Sequence, residues 1–343
     1  MPTRFSGPNY VYLQVTRECL GCGWDCYLQP DGTSLSLKEA KEIVDQAKKS
    51  KIFLIIIDGG DTLQWDGIYE LISYVHSKGL IAGLTAKGEI TAEQMKELAR
   101  AGGRGPPTML QVPLEGPEEF HDMIRGDGSY RKTLDAIQEA KKYNIEMHVG
   151  TTVTRLNLPF IHEVSNTLGN SVGMHRLLRY VPASEKGFLT AEENMKLLDI
   201  AYDLRINKKR EIALNNCYTF LIASRIGERM KKPESWLGCV AAKTSLYITA
   251  EGYILPCPML SSKDIAVKTK APQIWKTSIH EAWNQSDFLE KVRSPCIDCR
   301  SCRYVETCGG CRATAYHIYG NFSRDPGCPF DTKNTTKLNN EPT

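Results

Sequence analysis

The sequence predicts an α/β fold in which parallel strands and helical crossovers build an open sheet or a barrel, followed by a smaller cysteine-rich region. Three observations carry this. First, β-type runs at 10–16, 52–58, 80–85, 108–114, 145–153 and 175–181 alternate with helical patterns at 36–49, 67–78, 91–101, 130–143 and 159–168. Strands separated by helices pair in parallel through right-handed crossovers. Second, the chain has twelve cysteines, and none lies between residues 27 and 216, where that alternation falls. Third, 343 residues suit one large domain with a smaller one attached.

Taken in order, each strand should end in a loop rich in small or polar residues. The first runs into Cys19, Cys22 and Cys26, the second into Asp58-Gly59-Gly60-Asp61, the third into Thr85-Ala-Lys-Gly88, and the fourth into Leu114-Glu-Gly116. In parallel α/β folds the functional groups gather at the carboxyl ends of the strands. The helices have recognisable starts: Ser36-Leu-Lys-Glu39 and Thr91-Ala-Glu-Gln94 have capping-box spacing. The tail, 331–343, has a single leucine and is expected to be disordered.

Composition excludes several classes. Forty-three basic against forty acidic residues give a net charge of +3, too balanced for a polyanion-binding surface, so no nucleic-acid partner is expected. The longest wholly apolar stretch, 52–57, has six residues where a membrane helix takes about 20. The first residues lead into no apolar signal-peptide core, so the expectation is a cytoplasmic protein with no membrane association. In a reducing compartment, twelve cysteines read as metal ligands before crosslinks.

Cys19-Leu-Gly-Cys22-Gly-Trp-Asp-Cys26 supplies three thiolates within eight residues, with Gly21 and Gly23 letting the backbone wrap closely. A closed zinc or iron–sulfur site takes four protein ligands, so a triplet points to a cluster with one open iron. A structural zinc completed by a distant histidine, or three unremarkable thiols, are the alternatives.

With Gly59-Gly60-Asp61, Leu114-Glu-Gly116 and His121-Asp-Met-Ile-Arg-Gly126 ahead of Ser129-Tyr130, the region 10–181 resembles the radical S-adenosylmethionine (SAM) enzymes. The resemblance implies a partial (β/α)6 barrel. It also implies a four-iron cluster on Cys19, Cys22 and Cys26, whose open iron chelates SAM and whose electron releases a 5′-deoxyadenosyl radical. Gly59, Gly60 and Asp61 would then contact the cofactor's methionine end, and Tyr27 its adenine. Two motifs depart from the family: the triplet has two and then three intervening residues where three and then two are usual, and Gly-Gly-Asp-Thr stands for Gly-Gly-Glu-Pro. Flexible Gly21 and Gly23 are expected to bring Cys22 to the cluster corner.

The second cysteine region, 236–330, contains Cys239-x12-Gly252-x4-Cys257, then Cys299-x2-Cys302-x5-Cys308-x2-Cys311, then Cys328. It resembles the SPASM extension of radical SAM maturases, which carries two auxiliary clusters. Two closed clusters use eight thiolates and the triplet three, leaving one of twelve spare. The family pattern implies Cys299, Cys302, Cys308 and Cys328 on one cluster and Cys239, Cys257 and Cys311 on the other. Cys217 is then the natural fourth ligand, and Cys296 is left over. A zinc knuckle of Cys299, Cys302, Cys308 and Cys311 alone is the competing arrangement.

Arg179-Tyr-Val-Pro182, Asn216-Cys-Tyr-Thr-Phe220, Cys308-Gly-Gly-Cys-Arg-Ala-Thr-Ala-Tyr316 and Asp325-Pro-Gly-Cys328 are most similar to the heme-biosynthetic branch, which trims tetrapyrrole side chains. The expected partners are therefore a tetrapyrrole substrate and a one-electron reductant such as flavodoxin or ferredoxin. The alternatives are a maturase of a ribosomally made peptide, and a cluster-bearing electron carrier or tetrapyrrole-binding protein. The expected organisation is a barrel at 1–190, a bridging segment at 191–235, the cluster domain at 236–330 and the tail. Arg155, Arg176 and Arg179 are candidates to meet substrate carboxylates, and His148 to act as an acid or base.

Overall fold

The computed structural model describes residues 5–19, 22–23, 26, 28, 30–103, 109–181, 187–221, 238–305 and 308–330. Tyr27 and the tail 331–343 lie outside the described residues, as does 222–235 of the expected bridging segment.

Six strands form the barrel wall: β1 (Tyr10–Thr16), β2 (Leu54–Gly59), β3 (Ile81–Thr85), β4 (Met109–Pro113), β5 (Met147–Val153) and β6 (Met174–Arg179). Each lies within a residue or two of its expected run. Three further strands, β7 (Ile212–Leu214), β8 (Ser245–Ile248) and β9 (Ile254–Leu255), extend the sheet at its two edges. The strand order is β7-β6-β5-β4-β3-β2-β1-β8-β9, parallel throughout except for the antiparallel β8–β9 pair. The result is the partial barrel that the resemblance implies, with β8 from the cysteine-rich region pairing directly with β1.

The crossover helices are α1 (Leu37–Lys49), α2 (Ile68–Ser77), α3 (Ala92–Ala101), α4 (Glu118–Arg125), α5 (Ser129–Lys142) and α6 (Ile161–Leu168), followed by α7 (Ala191–Tyr202). Complete capping boxes at Ser36/Glu39, Thr91/Gln94 and Thr190/Glu193 satisfy amide groups that the first helical turn leaves free. One face of each helix then packs on the sheet, as Ile43, Val44 and Ala47 of α1 do beside Ile55 and Ile57 of β2.

A second apolar layer lies over β6 and β7, where Leu197, Leu198 and Ala201 of α7 join Tyr218, Phe220 and Cys308. A third surrounds Cys311 and contains Tyr247, Leu255 and Phe288, with Cys217, Cys239 and Cys257 packed against it. Behind the sheet, fully buried Trp283 donates to the Phe5 carbonyl at 3.0 Å. Buried Arg293 stacks on its ring and bonds the Ala242 and Trp283 carbonyls. Among the described residues no helix is long and apolar enough to cross a membrane.

Candidate active site and cysteine clusters

The loop that leaves β1 is held from three sides. Arg17, 2% exposed, donates to the Leu28 carbonyl and, at 2.9 Å, to Glu251 of the cysteine-rich region. Gly23 N–H donates to the Ile124 carbonyl of α4 at 2.7 Å. On the third side the turn after β2 presses in: Gly60 N–H bonds the Thr16 carbonyl and Asp61 N–H the Glu18 carbonyl. A Cβ at position 60 would stand 2.0 Å from the Glu18 oxygen and 2.9 Å from the Cys19 Cβ, so only glycine permits this approach.

These contacts set Cys19, Cys22 and Cys26 around one cavity of about 230 Å³, together with Gly59 and Gly60. Lys87, Gln111, Arg125, Thr152 and Arg179 line its other polar walls, and Met259, from beyond Cys257, helps close it. The shifted middle cysteine therefore reaches the same cavity as its neighbours. Asp61 is half-buried beside the turn and is not among the residues lining the cavity. Burial pushes the Cys26 thiol up, the neighbouring Cys22 and Cys19 add to this, and Arg125 opposes it.

Arg125 is fixed by a buried network. Its guanidinium pairs with Glu115, which is wholly buried and whose second oxygen accepts from Thr152 N–H at 2.9 Å. Glu115 N–H donates to His121 Nδ1 at 3.0 Å, which sets the ring's tautomer, and burial lowers His121 to about 4. Asp122 accepts from Gly128 N–H, Ser129 Oγ and Tyr130 N–H, so it starts α5 from the preceding helix. The run from His121 to Tyr130 is thus a local device that seats Arg125 at the cavity wall.

Nine cysteines remain, and the structure sorts eight of them into two sets. Cys299, Cys302, Cys308 and Cys328 line a small closed cavity with Phe220, Tyr304 and Asp325. The Cys217 and Cys311 thiols are hydrogen-bonded to one another, with Cys239 and Cys257 within electrostatic reach of both. Cys311, which the competing zinc knuckle would use, is bonded to Cys217 and does not line that cavity, whereas Cys328 does. Cys296 is absent from the small cavity's lining and is buried, with its Sγ 2.8 Å from the Cys299 Sγ.

Most of the shifted thiols of these sets are hard to ionise without a cation, the exception being Cys311, which the bond with Cys217 lowers to about 6. Burial pushes Cys308 up to about 12 and raises Cys239 and Cys257, while the bond to Cys311 and burial together raise Cys217. Groups of buried thiols of this kind favour cationic metal centres, whose binding displaces the protons. The all-sulfur donor chemistry fits iron–sulfur clusters, although among the described residues no three ligating side chains stand close enough together to hold a metal ion.

The basic and histidine candidates are otherwise engaged. Arg155 pairs with Glu193, and Arg176 faces His148, whose other ring nitrogen meets Glu146 at 3.0 Å. Arg179 is locked to Asp325, 146 positions away. Sequence reasoning did not find that partnership, although Asp325-Pro-Gly-Cys328 stood out as a motif. Nor did it single out Lys87, which sits in the loop after β3 where functional groups are expected.

The fold and the cysteine cavity at the strand ends define a class. Residues 16–160 match the Radical SAM superfamily and residues 239–312 match SPASM, an iron–sulfur cluster-binding domain. The chain thus carries a radical SAM domain and a SPASM domain, and it is an enzyme that uses SAM and iron–sulfur clusters and acts by reductive SAM cleavage. Among curated proteins it is 26% identical to AdoMet-dependent heme synthase of Oleidesulfovibrio alaskensis, over 94% of this chain and 87% of that one. It is 24% identical to the mycofactocin maturase MftC of Mycolicibacterium smegmatis, over 83% of this chain and 72% of the other. In fold it resembles Streptococcus suis SuiB bound to S-adenosylmethionine, with a TM-score of 0.77, 16% identity, and coverage of 95% of this chain and 78% of that one.

Proposed function

We propose that this enzyme modifies the side chains of an iron tetrapyrrole, a reading supported by its similarity to proteins named AdoMet-dependent heme synthase. Cys19, Cys22 and Cys26 hold the SAM-binding cluster, Cys299, Cys302, Cys308 and Cys328 one auxiliary cluster, and Cys217, Cys239, Cys257 and Cys311 the other. The SAM-binding cluster, when present, supplies the one-electron cleavage that yields a 5′-deoxyadenosyl radical. The chain's own residues do the rest. Gly59 and Gly60 leave room for the cofactor's methionine end, and Asp61 lies beside them to accept from its ammonium. Tyr27, which lies outside the described residues, is the residue we assign to the adenine, Arg125 places a fixed cation at the cavity wall, and Lys87 offers a second one to an anionic substituent.

The observation that carries this reading is the meeting of Cys19, Cys22 and Cys26 with the Gly59-Gly60 turn in one cavity at the strand ends. The choice of a tetrapyrrole over a peptide is supported by a heme synthase relative that spans most of both chains, whereas the maturase relative covers less of each. Residues 1–190 serve as the radical-generating barrel, 191–235 as a bridge and 236–330 as the auxiliary-cluster domain. A one-electron carrier of the flavodoxin or ferredoxin kind supplies reducing equivalents.

The test uses anaerobically reconstituted protein, dithionite, SAM and an iron tetrapyrrole with carboxylate side chains. The expected result is 5′-deoxyadenosine, with the tetrapyrrole losing an acetate group, or losing carbon dioxide together with the hydrogen atom that the deoxyadenosyl radical takes and one electron passed to an acceptor such as an auxiliary cluster. Deoxyadenosine with an unchanged tetrapyrrole would move the reading to a peptide substrate. Absence of deoxyadenosine from iron-loaded protein would leave an electron carrier.

A further inference from the structure

Arg179 ends β6 and Asp325 lies in the turn that delivers Cys328, and their paired side chains are at most 2% exposed. The contact is bidentate, with Nη2 to Oδ1 at 2.6 Å beside the Nη1–Oδ2 bond. Each partner also holds the backbone of a cysteine. Arg179 Nη1 donates to the Cys217 carbonyl at 3.0 Å, and Asp325 Oδ2 accepts from Cys311 N–H at 2.9 Å. Asp325 Oδ1 accepts from Gly327 N–H at 2.9 Å, one residue before Cys328.

The pair also faces both kinds of site. Arg179 lines the cavity of Cys19, Cys22 and Cys26, and Asp325 lines that of Cys299, Cys302, Cys308 and Cys328. The guanidinium is packed among the rings of Phe188, Tyr218 and Phe220, with 4.9 Å to the Phe220 centroid. A Cβ at Gly327 would come within 2.6 Å of Arg179 Nη2, so the turn is shaped to let the arginine in.

A buried charge beside a redox centre acts on it through a weakly screened field. An anion disfavours the added electron and a cation favours it, which is one way that surroundings set a cluster's potential. While paired, the two charges largely cancel, so removing either one leaves the field of the other uncompensated at the clusters.

We propose that the Arg179–Asp325 pair is a positioning element that joins β6 to both auxiliary cysteine sets and sets the reduction potentials of the clusters there. The proposal rests on the cluster reading above. It differs from a purely structural bridge in one respect: removing the two charges has opposite consequences. Asp325→Asn leaves the guanidinium uncompensated and raises the auxiliary potentials, Arg179→Gln leaves the carboxylate and lowers them, and the double variant returns towards the parent. Arg179→Lys and Asp325→Glu keep the charges and stay near the parent value.

The experiment is redox potentiometry of reconstituted full-length protein at pH 8, followed by electron paramagnetic resonance, with iron and zinc analysis of each variant. Shifts of opposite sign in the two single variants support the proposal. Unmoved potentials, or shifts of the same sign, in iron-loaded variants overturn it while leaving the cluster reading intact. Should the neutral variants lose iron, the charge-keeping pair decides: parent potentials in both support the charge role, and a shift in either overturns it. A parent protein loaded with zinc in place of iron would overturn the cluster reading and the proposal together.

Discussion

Gly60 shows how one missing side chain positions a reaction centre. The backbone of the Gly-Gly turn lies against Glu18 and Cys19 because nothing projects from it. Gly60→Ala must push the turn or the cysteine loop aside, so it should lower the iron held by Cys19, Cys22 and Cys26 while the auxiliary iron stays, as metal analysis would show. Cysteine 296 makes the opposite case. It touches Cys299 but does not line the cavity of the other four, so Cys296→Ala should leave iron content unchanged. Cys308→Ala should remove about four iron atoms and destabilise the local fold, since bound metal contributes directly to folding. Equal losses in the two variants would show that the ligand set is drawn wrongly.

At the scale of elements, the cysteine loop and α4 form one unit. Position 23 bonds Ile124 through its N–H, and a Cβ there would point at the Ile124 backbone from 3.4 Å. Moving the middle ligand by Cys22→Gly with Gly23→Cys restores the family's commoner spacing but aims the new thiol at α4. The expected outcome is loss of the SAM-binding cluster and of 5′-deoxyadenosine formation. A variant that keeps both would show that the loop can rearrange freely around its tether. The capping boxes are more modest: Ser36→Ala should cost about 1 kcal/mol of stability, readable in a denaturant titration, with no change in iron.

For the whole molecule, two buried imidazoles make stability depend on pH. Burial lowers both His121 and His175 to about 4, and His175 Nδ1 has no hydrogen-bond partner among the described residues. The unfolded chain therefore binds more protons between about pH 6.5 and pH 4. Their contribution is intact above about pH 6.5 and is lost as pH falls towards 4, by up to roughly 3 kcal/mol for each group. Urea titrations of the protein across that range should show the decline, and His175→Gln should flatten it; an unchanged slope in the variant would exclude His175 as a source. The full metal load should be near 12 iron atoms, if all three clusters are of the four-iron type.

The six barrel strands and their first crossover helices were legible because each carries its own periodicity, so local pattern and final packing agree. Helix α7 went unread, because it lies past the strand and helix alternation, although Thr190-Ala-Glu-Glu193 forms a capping box that marks its start. Strands β7 to β9 were not legible either, since runs of two to four residues have no periodicity to read. By itself the sequence determined the chemistry: three thiols after the first strand, a second sulfur-rich region, and the glycines that let backbone approach them. Only the tertiary structure decided the company each residue keeps. It sent Cys311 to Cys217, Arg179 to Asp325, and β8 to the free edge of β1. Such choices rest on contacts between positions far apart in the chain, where burial and charge pairing act through space and leave no regular spacing behind.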